Sequence, residues 1–286
     1  LYFSAEKATK VIVTIKGTSY REEYFVEANT VIESKLIPKG GDIDARLYSR
    51  PVNWAGENSE GYFRKHGIHI QSEEPIVAYA HVYGQLSSGS TMLMPVDTWG
   101  YSYVSLNTHQ QYGTGTPGVQ DGANYDCFSW TFVVAKEDGT KVRIVPSVKT
   151  RMGRMPNVPF EVTLNKGEIY QVLGEGVNQV LSRDLTGTSI TSIANDNGEC
   201  FPIGVFSGSS RVQIACLDNR GSGDYLIQQI FPYQAWGKEY LTSPSSVDQR
   251  PANLNLNVFR ILVKDPTTIV KKNGQRLYGL NGNVYE

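Results

Sequence analysis

One phrase, Pro-x-x-x-Trp-Gly-x-x-Tyr, occurs twice in this chain at a spacing of 137 residues. Pro95, Trp99, Gly100 and Tyr103 return as Pro232, Trp236, Gly237 and Tyr240. The match extends upstream, where Pro75-Ile76-Val77-Ala78-Tyr79 answers to Pro202-Ile203-Gly204-Val205-Phe206. A period of this length is too long for a small solenoid unit, so the pattern reads as a duplicated β module. Tryptophan buries a large apolar face and needs a partner for its indole N–H. The glycine after it lets the chain corner sharply, and the proline before it marks a strand entry or an edge. Trp99, Gly100, Trp236 and Gly237 are therefore read as structural corners between sheets. An aromatic ligand platform is the functional alternative.

The rest of the chain repeats in the same order. A Thr-led strand–turn–strand phrase occurs at 1–15, as VVAKEDGTKVRIV (133–145) and as ILVKDPTTIVKKNG (261–274), each resembling a hairpin. REEYFVEANTVIESKLIP (21–38) is mirrored by PFEVTLNKGEIYQVLGE (159–175), where Phe160, Val162 and Leu164 alternate and Asn165–Glu168 turn. GIHIQSEEPIVAYA (67–80) is mirrored by GTSITSIANDNGECFPIGVF (187–206). No stretch sustains an apolar period of 3.6 residues, and short strands with regular turn signals predict an all-β fold. The expected architecture is two homologous β-sandwich-like modules, 1–131 and 132–257. A C-terminal hairpin, 258–286, either opens a third copy or completes the second. Segments 40–65 and 107–127 fall between matched elements and are rich in Gly, Asn and Asp, as surface loops are.

Composition excludes several classes. Hydrophobic residues at 40% against 19% charged describe a folded chain and not a disordered one. A formal net charge of -1 gives no electrostatic reason for nucleic acid or an anionic membrane surface. No apolar run approaches the ~18 residues of a membrane span, so no direct membrane insertion is expected. No signal peptide is visible, and the chain is expected to begin inside a larger protein.

Catalytic motifs are missing. Ser207-Gly208-Ser209-Ser210 lacks the Gly-x-Ser-x-Gly frame of a nucleophile elbow and is expected to form the turn of a hairpin over 201–215. That register sets Cys200 nearly opposite Cys216, as a disulfide would need, with two buried thiols as the alternative; Cys127 has no visible partner. His66 and His69 lack the cysteines or helical His pair of a zinc motif, and His69 is placed on a solvent-facing strand position. Asn195–Glu199 reads as an Asx turn; Asp196 and Glu199 are weak calcium candidates without the full spacing of a calcium loop. No other cofactor is expected.

Several phrases resemble the N-terminal domain of IgG Fc-binding proteins: SSGSTMLMPVDTWGYSYVS, VVAKEDGTKVRIVPS, FEVTLNKGEIYQV, DLTGTSI, PIGVFSGSSRVQI and DYLIQQIFPYQAWGKEYLT. That family includes the mucus Fc-gamma-binding protein of animals and large surface proteins of Bacteroidota, many with gliding-motility or type IX secretion sorting domains. The Ser-Gly-Ser-Ser phrase followed by Ile-x-Cys is closer to the bacterial branch, and the sequence has no Asn-x-Ser/Thr glycosylation acceptor. The resemblance implies a non-enzymatic extracellular or cell-surface adhesion module with a protein or glycan ligand. The alternatives are a structural spacer and a carbohydrate-active enzyme with paired carboxylates. Exposed loops on a rigid sheet scaffold are the expected binding surface, with Trp54, Tyr62 and Tyr112 as its aromatic candidates.

Overall fold

The structure is a computed structural model that describes residues 1–45, 60–83, 88–108, 128–178, 181–212, 224–243, 259–280 and 284–285. It is all-β. The first part of the chain supplies β1 (Tyr2–Ala5), β2 (Thr9–Ile15), β3 (Arg21–Val26), β4 (Thr30–Glu33), a small ribbon of β5 (Lys39–Gly40) and β6 (Ile43–Asp44), β7 (Gly61–Phe63), β8 (Ile68–Ser72), β9 (Ile76–Tyr83), β10 (Ser88–Leu93) and β11 (Ser102–Val104). The second supplies β12 (Ser129–Ala135), β13 (Thr140–Val145), β14 (Phe160–Leu164), β15 (Ile169–Leu173), a short pair of β16 (Gly176–Asn178) and β17 (Leu181–Ser182), β18 (Ser189–Ile193), β19 (Ile203–Val212) and β20 (Asp224–Gln229). Last come β21 (Ile261–Leu262), β22 (Lys271–Lys272), β23 (Gln275–Arg276) and β24 (Val284–Tyr285).

Each unit is a two-sheet sandwich, and the strand orders correspond. In the first, β10-β9-β1-β4 packs on β3-β2-β8; in the second, β20-β19-β12-β15 packs on β14-β13-β18. Registers correspond as well: Ala5 pairs with Ile76 as Ala135 pairs with Ile203. Alternation places the cores. Strand β2 buries Thr9, Val11, Val13 and Ile15 and leaves the residues between them half-buried, and Val11 and Val13 join Phe3, Val26 and Ala78 in the first core. Val133, Val142, Ile144, Leu164, Ile190 and Val205 form the second. Full burial of each such side chain stabilises by ~1.5–3 kcal/mol.

Several local readings of the sequence are corrected. The strand–turn–strand phrases are arches between sheets and not hairpins: β1 and β12 bond in one sheet while β2 and β13 bond in the other. The same holds for β14 and β15. Their connection turns on Gly167 at φ 73°, and the matching connection between β3 and β4 turns on Asn29 at φ 59°; glycine and asparagine are the residues that adopt this left-handed region most readily. Alternation is the same in an arch and in a hairpin, so it does not name the partner strand. Ser207–Ser210 form no turn either; they lie inside the ten-residue β19, which pairs with β12 and β20. The boundary at 131/132 falls within β12.

Two elements of the first part belong to sheets of the second. Strand β7 adds to the edge of β15, with Tyr62 opposite Tyr170. Strand β11 adds to the edge of β18, with Tyr103 opposite Ile190. The units also meet along β10 and β20, where Gln229 N–H donates to Thr91 Oγ1 at 2.9 Å and Met94 N–H to Gln229 Oε1 at 2.7 Å. Gly89 permits that approach, because a Cβ there would lie 2.6 Å from the Tyr225 carbonyl oxygen.

Candidate binding surface

The outer face of the β10-β9-β1-β4 sheet is made of side chains that alternate away from the core. Along β9, Ala78 points inward while Val77, Tyr79, His81 and Tyr83 point outward; Tyr2 on β1, Val31 on β4 and Met92 on β10 complete the face. Tyr79 is 43% exposed, and Tyr83, Met92, Val77 and Val31 are exposed likewise. The rings are ordered against one another. His81 lies 4.0 Å from Tyr83 between centroids and 6.0 Å from Tyr2. The Tyr2 and Tyr83 hydroxyls share a hydrogen bond. That bond is the main reason the Tyr2 phenol is pushed up to about 12. Rigid tyrosines beside a methionine offer large apolar contact with polar tips, the composition typical of protein-binding surfaces. Sequence reasoning looked to loops and missed this face, although the alternation Tyr79-x-His81-x-Tyr83 displays it.

The corresponding face of the second unit is closed. Trp130 and Phe132 on β12 stack at 5.4 Å, Phe132 and Phe206 at 4.8 Å, and Trp130 and Tyr225 at 5.9 Å. Phe63 from β7 joins this cluster with Ile169 and Leu173. As a result β12 and β15 are buried on nearly every residue.

Of the loop aromatics, Tyr62 is exposed at the end of the second unit, edge-on to Tyr170 at 4.9 Å with the Arg64 guanidinium 4.7 Å from its ring centroid. Arg64 also donates to both Glu168 carboxylate oxygens at 3.0 Å. Beside it, the buried Glu60 carboxylate accepts from Thr150 Oγ1 at 2.9 Å and from Met152 N–H at 3.2 Å. Burial pushes Glu60 up from the ordinary carboxylate range, against these hydrogen bonds and the nearby Arg154. Glu60 thereby ties the loop carrying the exposed Met152 and Met155 to the start of β7, a contact that sequence reasoning did not name. Trp54 and Tyr112 lie outside the described residues.

The two Trp-Gly phrases share one local geometry. A single 3-10 turn, Val96–Thr98 or Tyr233–Ala235, follows each proline. The Trp99 indole donates to Met94 O at 3.2 Å and the Trp236 indole to Phe231 O at 3.3 Å. The Gly100 N–H donates to the Tyr103 hydroxyl at 2.8 Å and the Gly237 N–H to the Tyr240 hydroxyl at 2.7 Å.

No metal centre is assembled: among the described residues no three His, Cys, Asp or Glu side chains come together. Asp196 faces Lys141 at 3.4 Å. Asn195 Oδ1 accepts from Asn197 N–H and Glu199 N–H, which is an Asx turn. His69 is exposed, and His66 sits edge-on to Phe63 at 5.0 Å. Cys200 is exposed ahead of β19, with Sγ 3.4 Å from Ser192 Oγ. Cys127 and Cys216 lie outside the described residues, and with 207–210 in a strand the register that set Cys200 opposite Cys216 no longer holds.

A family model described as IgGFc binding protein matches residues 89–285. No curated protein and no solved structure matches the chain. The family is one of binding domains, typically extracellular, and no helix among the described residues is long and apolar enough to cross a membrane. The match runs from β10 through both Trp-Gly turns to β24 and covers more than half of the residues, so the chain belongs to the IgGFc binding protein family.

Proposed function

We propose that this chain is a non-enzymatic extracellular binding module of a large bacterial surface or secreted protein, and that it takes a protein ligand on the tyrosine face of its first unit. The observation that carries the reading is the contrast between two sheets of the same strand order. The face with Trp130, Phe132 and Phe206 is closed, and the face with Tyr2, Tyr79 and Tyr83 is open. Tyr in place of stacked Phe keeps apolar area and adds hydroxyls, which suits a surface that is wet when free and covered when bound. The family description makes immunoglobulin Fc the first ligand to test. The finer assignment, to Bacteroidota proteins of gliding motility and type IX secretion, rests on the sequence phrases alone; a sorting domain encoded downstream would support it.

The test is surface plasmon resonance of the immobilised chain against Fc, extracellular glycoproteins and a glycan panel. A ligand is expected to bind the parent chain and to lose at least about tenfold in affinity with Tyr79→Ser/Tyr83→Ser, the loss of more than ~1.4 kcal/mol expected for central aromatic contacts. A ligand indifferent to that variant but lost with Tyr62→Ala would move the site to the exposed Tyr62. The close joint between the two units favours a second reading, a rigid spacer; absence of any ligand across the panel would support it.

A further inference from the structure

The segment after Trp99 is a strap that completes the second unit. Gly100 O accepts from Ile203 N–H at 2.9 Å, Tyr101 O accepts from Ser192 N–H at 2.7 Å, and Ser105 exchanges backbone bonds with Gly187 and Thr188 at 2.9 Å. The Tyr103 hydroxyl, 1% exposed at the residue level, donates to Ile203 O at 2.7 Å. Farther along, the buried Ser207 and Ser209 hydroxyls donate to Leu106 O and Thr108 O at 2.9 and 2.6 Å. The Trp99 ring lies flat on Gly204, where a Cβ would come within 2.6 Å of it. Strap and acceptor strand thus lock one unit to the next.

The second strap, Trp236–Ser243, has the same internal hydrogen bonds and, among the described residues, no such acceptor strand. Tyr240 is 74% exposed and Leu241, the counterpart of Val104, is 96% exposed. The Tyr240 hydroxyl accepts from Gly237 N–H, which leaves its own proton to donate as that of Tyr103 does.

We infer that Trp236–Ser243 is a docking strap for the edge of a further β unit of the same architecture, the unit that residues 259–285 open. Three observations point to this occupant. Strand β21 pairs with β24 as Ile261↔Tyr285 and Leu262↔Val284, the register in which β12 pairs with β15 as Val133↔Tyr170 and Val134↔Ile169. Lys264, in the place of Lys136, lies 4.9 Å over the ring of Tyr233 in the second 3-10 turn, as Lys136 meets Asp97 of the first at 3.3 Å. The junction after the second unit therefore begins as the junction before it does. Third, the first unit of another copy is a poor acceptor: Val77 stands where Gly204 receives the tryptophan. The acceptor strand of that unit is not among the described residues, and the chemistry the strap calls for is that of Pro202-Ile203-Gly204: a carbonyl and an N–H at one residue, then a glycine.

The inference is independent of the tyrosine face and of any ligand there. The test uses the 286-residue chain, ¹⁵N-labelled, and a synthetic peptide of residues 199–208 carrying Cys200→Ser. Saturable shifts of the Trp236 indole and Gly237 amide are expected. Tyr240→Phe, an exposed change that leaves the melting temperature unaltered, should weaken binding about five- to tenfold, as loss of one hydrogen bond does. A peptide carrying Gly204→Val should produce no shift. The inference is overturned if the peptide moves neither signal at millimolar concentration, or if Tyr240→Phe binds it equally. Concentration-dependent dimers in sedimentation that disappear with Tyr240→Phe would overturn the assigned occupant in favour of a second copy.

Discussion

The two sandwich units place strands of the same order and register in surroundings of opposite kind. The sheet around β12 carries Trp130, Phe132 and Phe206 outward and is covered; the sheet around β1 carries Tyr2, Tyr79 and Tyr83 outward and is open. The straps differ likewise: Tyr103 is buried in the next unit and Tyr240 stands in solvent. One backbone thus serves as a packed joint in one place and an available surface in the other. What differs is side-chain chemistry and what lies against it.

The largest effects should come from the closed face. Phe132 is 7% exposed between two aromatic rings, and Phe132→Ala is expected to cost ~3–5 kcal/mol in urea unfolding. Tyr79→Ala, on the open face, should cost less than ~1 kcal/mol and act on ligand binding instead. Equal costs would break the contrast between the faces.

The junction comes next. Gly204→Val should destabilise by ~1–3 kcal/mol, because the new side chain displaces the Trp99 ring from its seat. The expected signature is an increase in Trp99 exposure, read by fluorescence or hydroxyl-radical footprinting, that Trp236→Phe does not produce.

The two tyrosines of the straps test the same point more finely. Tyr103→Phe leaves the Gly100 N–H and the Ile203 carbonyl short of a buried partner, a loss of ~1–3 kcal/mol. Tyr240→Phe should fall within ~0.5 kcal/mol of the parent chain. Similar losses for both would mean that the second strap is covered.

The smallest effect is a pH dependence confined to the second unit. Glu60 is raised from its ordinary value of 4.5 by burial, so the fold favours its protonated form. Ionisation of Glu60 then opposes folding increasingly as pH rises from about 4.5 to the raised value, and levels off above it. Glu60→Gln removes that contribution. Its stability relative to the parent chain should improve with pH across that window, as measured by melting temperatures at matched ionic strength. A difference independent of pH would show that folding does not raise Glu60 above its ordinary value.

The sequence by itself determined the strands, their inward and outward faces and the repetition. Alternation such as Val11-x-Val13-x-Ile15 has only one way to bury its apolar side, and a phrase recurring at 137 residues with the same Pro, Trp, Gly and Tyr folds into the same turn twice. It also displayed Tyr79, His81 and Tyr83 on one face. Only the tertiary structure decided which strands pair. Asn165–Glu168 and Glu137–Gly139 turn the chain, but nothing in a turn says whether the next strand bonds to the last or crosses to the opposite sheet; that is settled by the core between the sheets. Ser207–Ser210 show the same limit. Their composition suits a turn, yet Ser207 and Ser209 are buried, because the strap from 100 to 108 brings them carbonyl partners from a hundred residues away. Exposure of Tyr79 and the stacking of Phe206 on Phe132, at matched positions, likewise depended on neighbours that no local pattern encodes.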